Sequence, residues 1–223
     1  MLHLISYIAT MKIKIITLLF FAINTTLAAQ NFKGFVNVLK IDSTMSVELM
    51  YAKPDNFVGE KMYGFSEAYL HPKAAKALKN ANKLLKEINP GLHLRVYDAA
   101  RPMSVQQKMW NKVKGTAQQN YVSNPANGGG LHNYGLAVDV TIADSKGDTL
   151  PMGTAIDALT YKSHIDREQE LVRTGKITAQ AAKNRLLLRT VMQKAGFRPL
   201  RSEWWHFNYT TRADARKNYK VIP

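Results

Sequence analysis

The stretch GGGLHNYGLAVDVTI, residues 128–142, decides how this chain is read. Its second half alternates as a strand does: Gly135, Ala137 and Asp139 share one face, while Leu136, Val138 and Val140 share the other. The spacing predicts a strand from about Tyr134 to Ile142, with one face fit for a core and the other kept small around a carboxylate. Burying Asp139 and the nearby His132 is costly unless each finds a partner. Small neighbours beside a carboxylate leave room, and room there suits a metal or a ligand. The glycine-rich lead-in has the permissive backbone needed to swing His132 toward the same space.

On the N-terminal side of this stretch, Ala74, Leu78, Ala81, Leu85 and Ile88 recur at helical spacing between His71 and Ile88. The tripeptide NPG at 89–91 stops that helix, and LHLRVYDAA from Leu92 reads as a second strand. Another helix is expected from about Ser104, with Val105, Met109, Trp110 and Val113 turned inward. Earlier still, FVNVLKIDSTMSVELMYA (35–52) alternates well enough for one or two strands. On the C-terminal side, DSKGD (144–148) turns the chain. A helical region follows from about His164 to Ala195, broken near TGKIT (174–178), where Thr178 caps a new start and Gly196 ends it. The aromatic SEWWHFNY (202–209) is strand-like. With no internal repeat and no low-complexity linker, the expected fold is a single α+β domain with a small, mostly antiparallel sheet flanked by helices.

The first 29 residues stand apart. From Met11, MKIKIITLLFFAINTTLAAQ has two lysines, an apolar run from Ile15 to Ile23, and small residues at Ala28 and Ala29. That is the order of a secretory signal peptide, so residues 1–29 are expected to be a leader starting at Met11, and residues 30–223 the domain, periplasmic or secreted. The apolar run falls short of the roughly 20 residues that span a bilayer, so no stable membrane anchor is expected. The chain has no cysteine, which excludes a disulfide framework and a lipidated cysteine. Its net charge of +15 is diffuse. There is no basic cluster interleaved with aromatics, no zinc knuckle and no helix-turn-helix pattern, so nucleic acid is not the expected partner.

The chemistry gathers in two places. Without cysteine, a zinc ion with an open coordination position takes three histidine or carboxylate ligands plus water, and His132, Asp139 and His206 supply that set. Glu203, separated from His206 by two tryptophans, is the candidate general base. Residues three apart on a regular strand face opposite sides. Both therefore reach one site only if the strand bulges there, or if Glu203 sits in the turn before it. His71 and His164 read as helix-start residues, and His93 alternates with the apolar face of its strand.

These residues resemble a known family. HNYGLAVD (132–139) fits the H-x-x-G-x-A-x-D motif, and EWWH (203–206) the E-x-W-H motif, of the zinc D,D-peptidases that trim peptidoglycan peptides. Within that superfamily MYAKPDNFVG, YDAARP, LPMGTAIDALT and NRLLLRTVMQKAGF are similar to segments of the VanX-type D-alanyl-D-alanine dipeptidases, so the resemblance covers most of the chain beyond the leader. It implies one Zn2+ held by His132, Asp139 and His206, with Glu203 as general base and Arg101 stabilising the transition-state oxyanion. It also implies a substrate site lined by Tyr51 and Asp157, with Asp157 on the ammonium of a D-Ala-D-Ala dipeptide. Taken without the resemblance, Arg101 reads as a surface salt-bridge residue and Asp157 as a helix cap. Two departures stand out. Gly130 occupies a position that is usually serine in the family, and Ala100 one that is usually tyrosine. The alternatives are a D,D-carboxypeptidase or endopeptidase acting on longer wall peptides, and a catalytically silent zinc domain that binds the wall.

Overall fold

The computed structural model describes residues 32–223, so the leader-like segment lies outside the described residues. In chain order the elements are β1 (Val36–Asn37), α1 (Val38–Ile41), β2 (Ser46–Val47), β3 (Tyr69–Leu70), α2 (Pro72–Ile88), β4 (Leu92–Asp98) and α3 (Met103–Val113). They continue with β5 (Ala137–Asp144), α4 (Glu168–Arg173), α5 (Ala179–Lys194), β6 (Arg198–Leu200), β7 (Glu203–Asn208) and α6 (Arg212–Asn218). Five strands form one sheet in the order β2-β4-β5-β7-β6, and β1 pairs with β3 in a separate two-stranded ribbon. Only β2 runs parallel to its neighbour, and the other pairings are antiparallel. This is the expected α+β domain. Among the described residues no helix is long and apolar enough to cross a membrane.

The core lies between the sheet and helices α2 and α5. Leu94 and Val96 of β4 pair across to Ile142 and Val140 of β5, and Val138 pairs with Phe207 of β7. All six are fully buried, together with Leu78, Ala81 and Leu85 of α2 and Leu188 and Val191 of α5. A central strand covered on both faces needs apolar or fully bonded groups throughout, and every residue of β5 from Ala137 to Ala143 is buried. Helix α2 opens at His71, whose side chain accepts from Lys73 N, and Pro72 takes the first helical position. Helix α5 opens on the expected Thr178, whose hydroxyl accepts from Ala181 N. Gly196, at φ +97°, ends it.

Several expectations shift. Strand β5 begins at Ala137 rather than Tyr134, because Leu131–Tyr134 coil into a single 3-10 turn. That turn closes through Gly135 N to His132 O and Leu136 N to Leu131 O. The alternating segment at 35–52 yields only the two-residue strands β1 and β2, with α1 between them capped by the Asn37 side chain. Helix α3 starts one residue earlier than Ser104, and Trp110 on it is only partly buried. The helical region after His164 opens as a short 3-10 turn and α4. Helix α6 has no counterpart in the reading of the sequence. It is short, with one fully buried residue, Ala215, so it carries almost no apolar periodicity.

Gly135 is where the motif strand demands glycine. Its φ is +62°, and a Cβ there would stand 2.3 Å from Phe35 Cε1 and 3.1 Å from His71 N, whose hydrogen bond to Gly135 O ties α2 to the turn. Gly135→Ala is expected to lower stability by about 3 kcal/mol, the sum of a left-handed backbone penalty and local overpacking. Urea unfolding at unchanged m-value measures it, and a loss under about 0.5 kcal/mol would contradict this packing.

Candidate active site

His132 rides on the 3-10 turn before β5, Asp139 projects from β5, and His206 stands directly opposite Asp139 in the antiparallel ladder. Facing residues of such a pair lie within side-chain contact on one face of the sheet. His132 donates from Nδ1 to the Ala99 carbonyl at 2.7 Å, and His206 donates from Nε2 to Asn208 Oδ1 at 2.9 Å. Each ring thereby turns its remaining, unprotonated nitrogen inward. His132 Nε2 and His206 Nδ1 are 3.1 Å apart, and they stand 3.4 Å and 3.0 Å from Asp139 Oδ1. Three lone-pair donors thus meet in one pocket, their ligand atoms all within 4.8 Å of one another. With both rings neutral and so oriented, nothing among them supplies a proton, so the cluster is matched to a cation. Two imidazoles and a carboxylate, each ring oriented by an outer hydrogen bond, suit a divalent transition metal with an open position. Burial opposes ionisation of Asp139, but a proton on an inner ring nitrogen of His132 or His206, in the place a cation would take, hydrogen-bonds to the carboxylate and holds it well below the usual carboxylate range.

A second network lies against the first. Asp98, fully buried at the end of β4, accepts from Arg101 Nε at 2.9 Å, from Arg101 Nη2, and from the Tyr63 hydroxyl at 2.6 Å. It reaches this position because the β4–β5 register slips between Val96 and Asp98, so that Asp98 rather than Tyr97 comes opposite Asp139. Such a bulge re-aims a side chain. Arg101 also donates to Gln106 Oε1 at 3.0 Å, lies 3.9 Å from Asp139 Oδ2, and packs its guanidinium over the Tyr51 ring at 5.1 Å. Burial works against its charge, yet Asp98 holds the guanidinium firmly protonated. Asn133, also fully buried, clamps the loops together: its side chain donates to Arg101 O and accepts from Gly130 N.

Glu203 lies at the first position of β7, where the pairing with β6 jumps from Pro199↔Phe207 to Leu200↔Glu203. That irregularity breaks strict alternation, and Glu203 Oε2 comes within 4.0 Å of His206 Nδ1. Burial pushes the Glu203 carboxyl up to about 7, with Asp139 and Asp157 adding to the rise and His206 and Arg101 opposing it. Asp157 is raised to about 7 as well, again first by burial, although the Tyr51 hydroxyl donates to its Oδ1 at 2.9 Å. Its other oxygen, Oδ2, is buried with no hydrogen-bond partner. Asp157 is also the single non-glycine residue with positive φ, +65°, among the described residues. Backbone strain and an unpartnered buried oxygen at one residue mark a position shaped for something other than stability.

Tyr51, Arg101, His132, Asp139, Asp157, Glu203 and His206 all line one cleft of about 540 Å³, so every candidate site residue is brought together. Arg101 is buried, not a surface salt-bridge residue, and Asp157 sits in a turn, not at a helix cap. Trp205 walls the cleft, while Trp204 turns away to donate to Thr154 Oγ1 at 2.8 Å. Reading the residues alone overlooks Asp98, Gln106, Asn133 and Asn208. Their signal is weak: single polar residues on a strand end, a helix and a turn, each needing a partner that only the fold supplies. Gly130 has an extended backbone that any residue can adopt, and a Cβ there would approach Ser123 Oγ to 3.0 Å.

Comparison with known proteins identifies the family. Residues 31–222 match the peptidase M15 family described as D-ala-D-ala dipeptidase. The D-alanyl-D-alanine dipeptidase of Escherichia coli (strain K12) is 33% identical over 172 residues, covering 77% of this chain and 82% of that protein. The D-alanyl-D-alanine dipeptidase of Synechocystis sp. is 30% identical over 180 residues, covering 68% and 73%, and that of Enterococcus faecium 26% over 195 residues, covering 78% and 90%.

The Asp157 environment has a consequence for stability. Its folded pKa, about 7, lies above the ordinary carboxylate value of 3.8. Its contribution is therefore fully favourable below about pH 4 and is lost as pH rises through 7. Asp157→Asn keeps an acceptor for Tyr51, tolerates the left-handed backbone and removes the buried charge. The variant is expected to gain on the unsubstituted chain by about 2.5 kcal/mol between pH 5 and pH 8, the part of the linkage that falls in that window. Urea unfolding of metal-free protein at both pH values checks this, and a pH-independent difference between the two proteins would contradict it.

Proposed function

The chain belongs to the D-Ala-D-Ala dipeptidase family of peptidases, and on that premise we propose that it hydrolyses the dipeptide D-Ala-D-Ala at a zinc centre held by His132, Asp139 and His206. The observation that carries this reading is the meeting, in one cleft, of three converging acceptors with two further carboxyls, Glu203 and Asp157. When bound there, Zn2+ supplies Lewis acidity, polarising the scissile carbonyl and acidifying a water molecule.

The protein's own groups do the rest. Glu203, its carboxyl raised to about 7 chiefly by burial, is poised to exchange a proton near neutrality. It takes the proton of the attacking water and hands it to the leaving D-alanine amine. Arg101 places a fixed positive charge where the carbonyl oxygen becomes anionic, the kind of preorganised contact worth about 3 kcal/mol. Its pairing with Asp98 and Gln106 holds it there, so little reorganisation is needed during the reaction. Asp157 takes the free ammonium of the dipeptide on Oδ2, while Tyr51 keeps Oδ1 occupied. A wall peptide acylated at that nitrogen has no ammonium to offer and leaves the buried carboxyl unpaired. This favours the dipeptide over longer peptides. We also assign the chain, by its leader-like N-terminus, to the periplasm or the exterior.

Glu203→Ala is expected to retain about one zinc per chain by elemental analysis while losing at least about a hundredfold in D-Ala-D-Ala hydrolysis. Near-normal turnover in that variant would remove Glu203 from the mechanism. Chelation should abolish activity and added zinc restore it. Cleavage of a D-Ala-D-Ala-terminated stem peptide, with none of the free dipeptide, would replace the dipeptidase reading with a carboxypeptidase.

A further inference from the structure

A dipeptide has two charged ends, and the groups above account for one. The opposite end is a carboxylate, which needs a cation and a hydroxyl or amide donor within the same cleft. Arg101 is already committed to Asp98 and Gln106. Two other arginines, Arg198 and Arg212, line the cleft and are exposed. Of these, Arg212 is built into the wall: it donates from Nη2 to Ser123 Oγ at 2.8 Å and makes no ion pair among the described residues. With one lone pair of Oγ taken by the guanidinium, the Ser123 hydroxyl proton is left to donate, and it has no acceptor among the described residues. Ser123 is itself tied to the catalytic side, because its carbonyl accepts from Gln106 Nε2 at 2.8 Å and Gln106 in turn holds Arg101.

Gly130 completes the arrangement. Its φ of −103° and ψ of 179° are open to any residue, so this glycine is not there for its backbone. It is there for space. A Cβ at 130 would stand 3.0 Å from Ser123 Oγ and 3.3 Å from Ser123 Cβ, closer than side chains normally pack. The loop hydroxyl of Ser123 therefore fills the volume that a side chain at 130 would take, two residues before His132.

Resting on the dipeptide reading, we propose that Arg212 and the Ser123 hydroxyl form the recognition pair for the substrate's terminal carboxylate, with Gly130 keeping the hydroxyl in place. Arg212 is exposed at the start of α6, so its replacement does not threaten the fold. Arg212→Gln is expected to raise KM for D-Ala-D-Ala about tenfold, with kcat within about threefold. It should also erase most of the preference for D-Ala-D-Ala over its C-terminal amide. Ser123→Ala should move both quantities in the same direction by less. Gly130→Ala should raise KM by crowding Oγ, whereas Ser123→Gly combined with Gly130→Ser, which returns a hydroxyl to the same space, should recover most of the loss. An unchanged acid-over-amide preference in Arg212→Gln, or the loss appearing in Arg198→Gln instead, would overturn the assignment. The same acid and amide comparison on N-acyl-D-Ala-D-Ala keeps the two readings separate. If only the acylated substrate is turned over, the dipeptidase reading fails while Arg212 is still judged by its effect on the carboxylate.

Discussion

The antiparallel pairing of Asp139 with His206 is the contact around which this protein is organised. It sets a carboxylate and an imidazole face to face on two central strands, where neither can move without breaking the sheet. His132 is then delivered to the same point by the turn that precedes the strand, locked by its bond to Ala99 O. Because both rings spend their outer N–H on neighbouring oxygens, their inner lone pairs are forced together. A buried group of acceptors without a donor is unfavourable by itself, and a bound cation converts that cost into affinity. The rigidity of the pairing is what a metal centre requires, since ligand geometry must be held before the ion arrives.

Around that pairing the sheet departs from regularity twice, and both departures serve the site. One turns Asp98 toward Asp139, where it anchors Arg101 and Tyr63. The other lets Glu203 and His206 line the same cleft although they are three residues apart. Strict alternation would have sent one of each pair into the hydrophobic core. The helices α2 and α5 fix the opposite face with fully buried aliphatic groups, so the irregular edge rests on a well-packed layer. Strain is concentrated where substrate groups are expected, at the left-handed Asp157 and its unpartnered oxygen.

How legible this was depends on the type of signal. Helix α2 was readable because five apolar residues recur at its period between a capping His71 and the NPG stop. Strand β5 was readable from the run of alternating small and branched residues, though not its start, since 3-10 and extended backbone share the same composition in LHNY. Strands within residues 35–52 were readable, but not the bounds of β1 and β2, and α6 was not readable at all, because two to seven residues hold too few turns or alternations to show a period. The histidines, Asp139 and Glu203 stood out as costly groups in apolar surroundings. Asp98 and Asn133 did not, because a polar residue near a strand end looks the same whether it meets water or a buried arginine.

The amino-acid order alone thus determined which residue types are available to the chemistry and which of the longer segments are helices and strands, since both follow from local composition and periodicity. It also settled the absence of thiol chemistry, as no cysteine is present. Tertiary structure alone decided that Arg101 is buried against Asp98, that Asp157 leaves an oxygen unpaired in the cleft, and that Ser123 occupies the space opened by Gly130. Those facts depend on strand register and on how the loops and turns fold back against the sheet. A one-residue slip in a ladder changes which side chains face each other while leaving the local pattern of the sequence untouched.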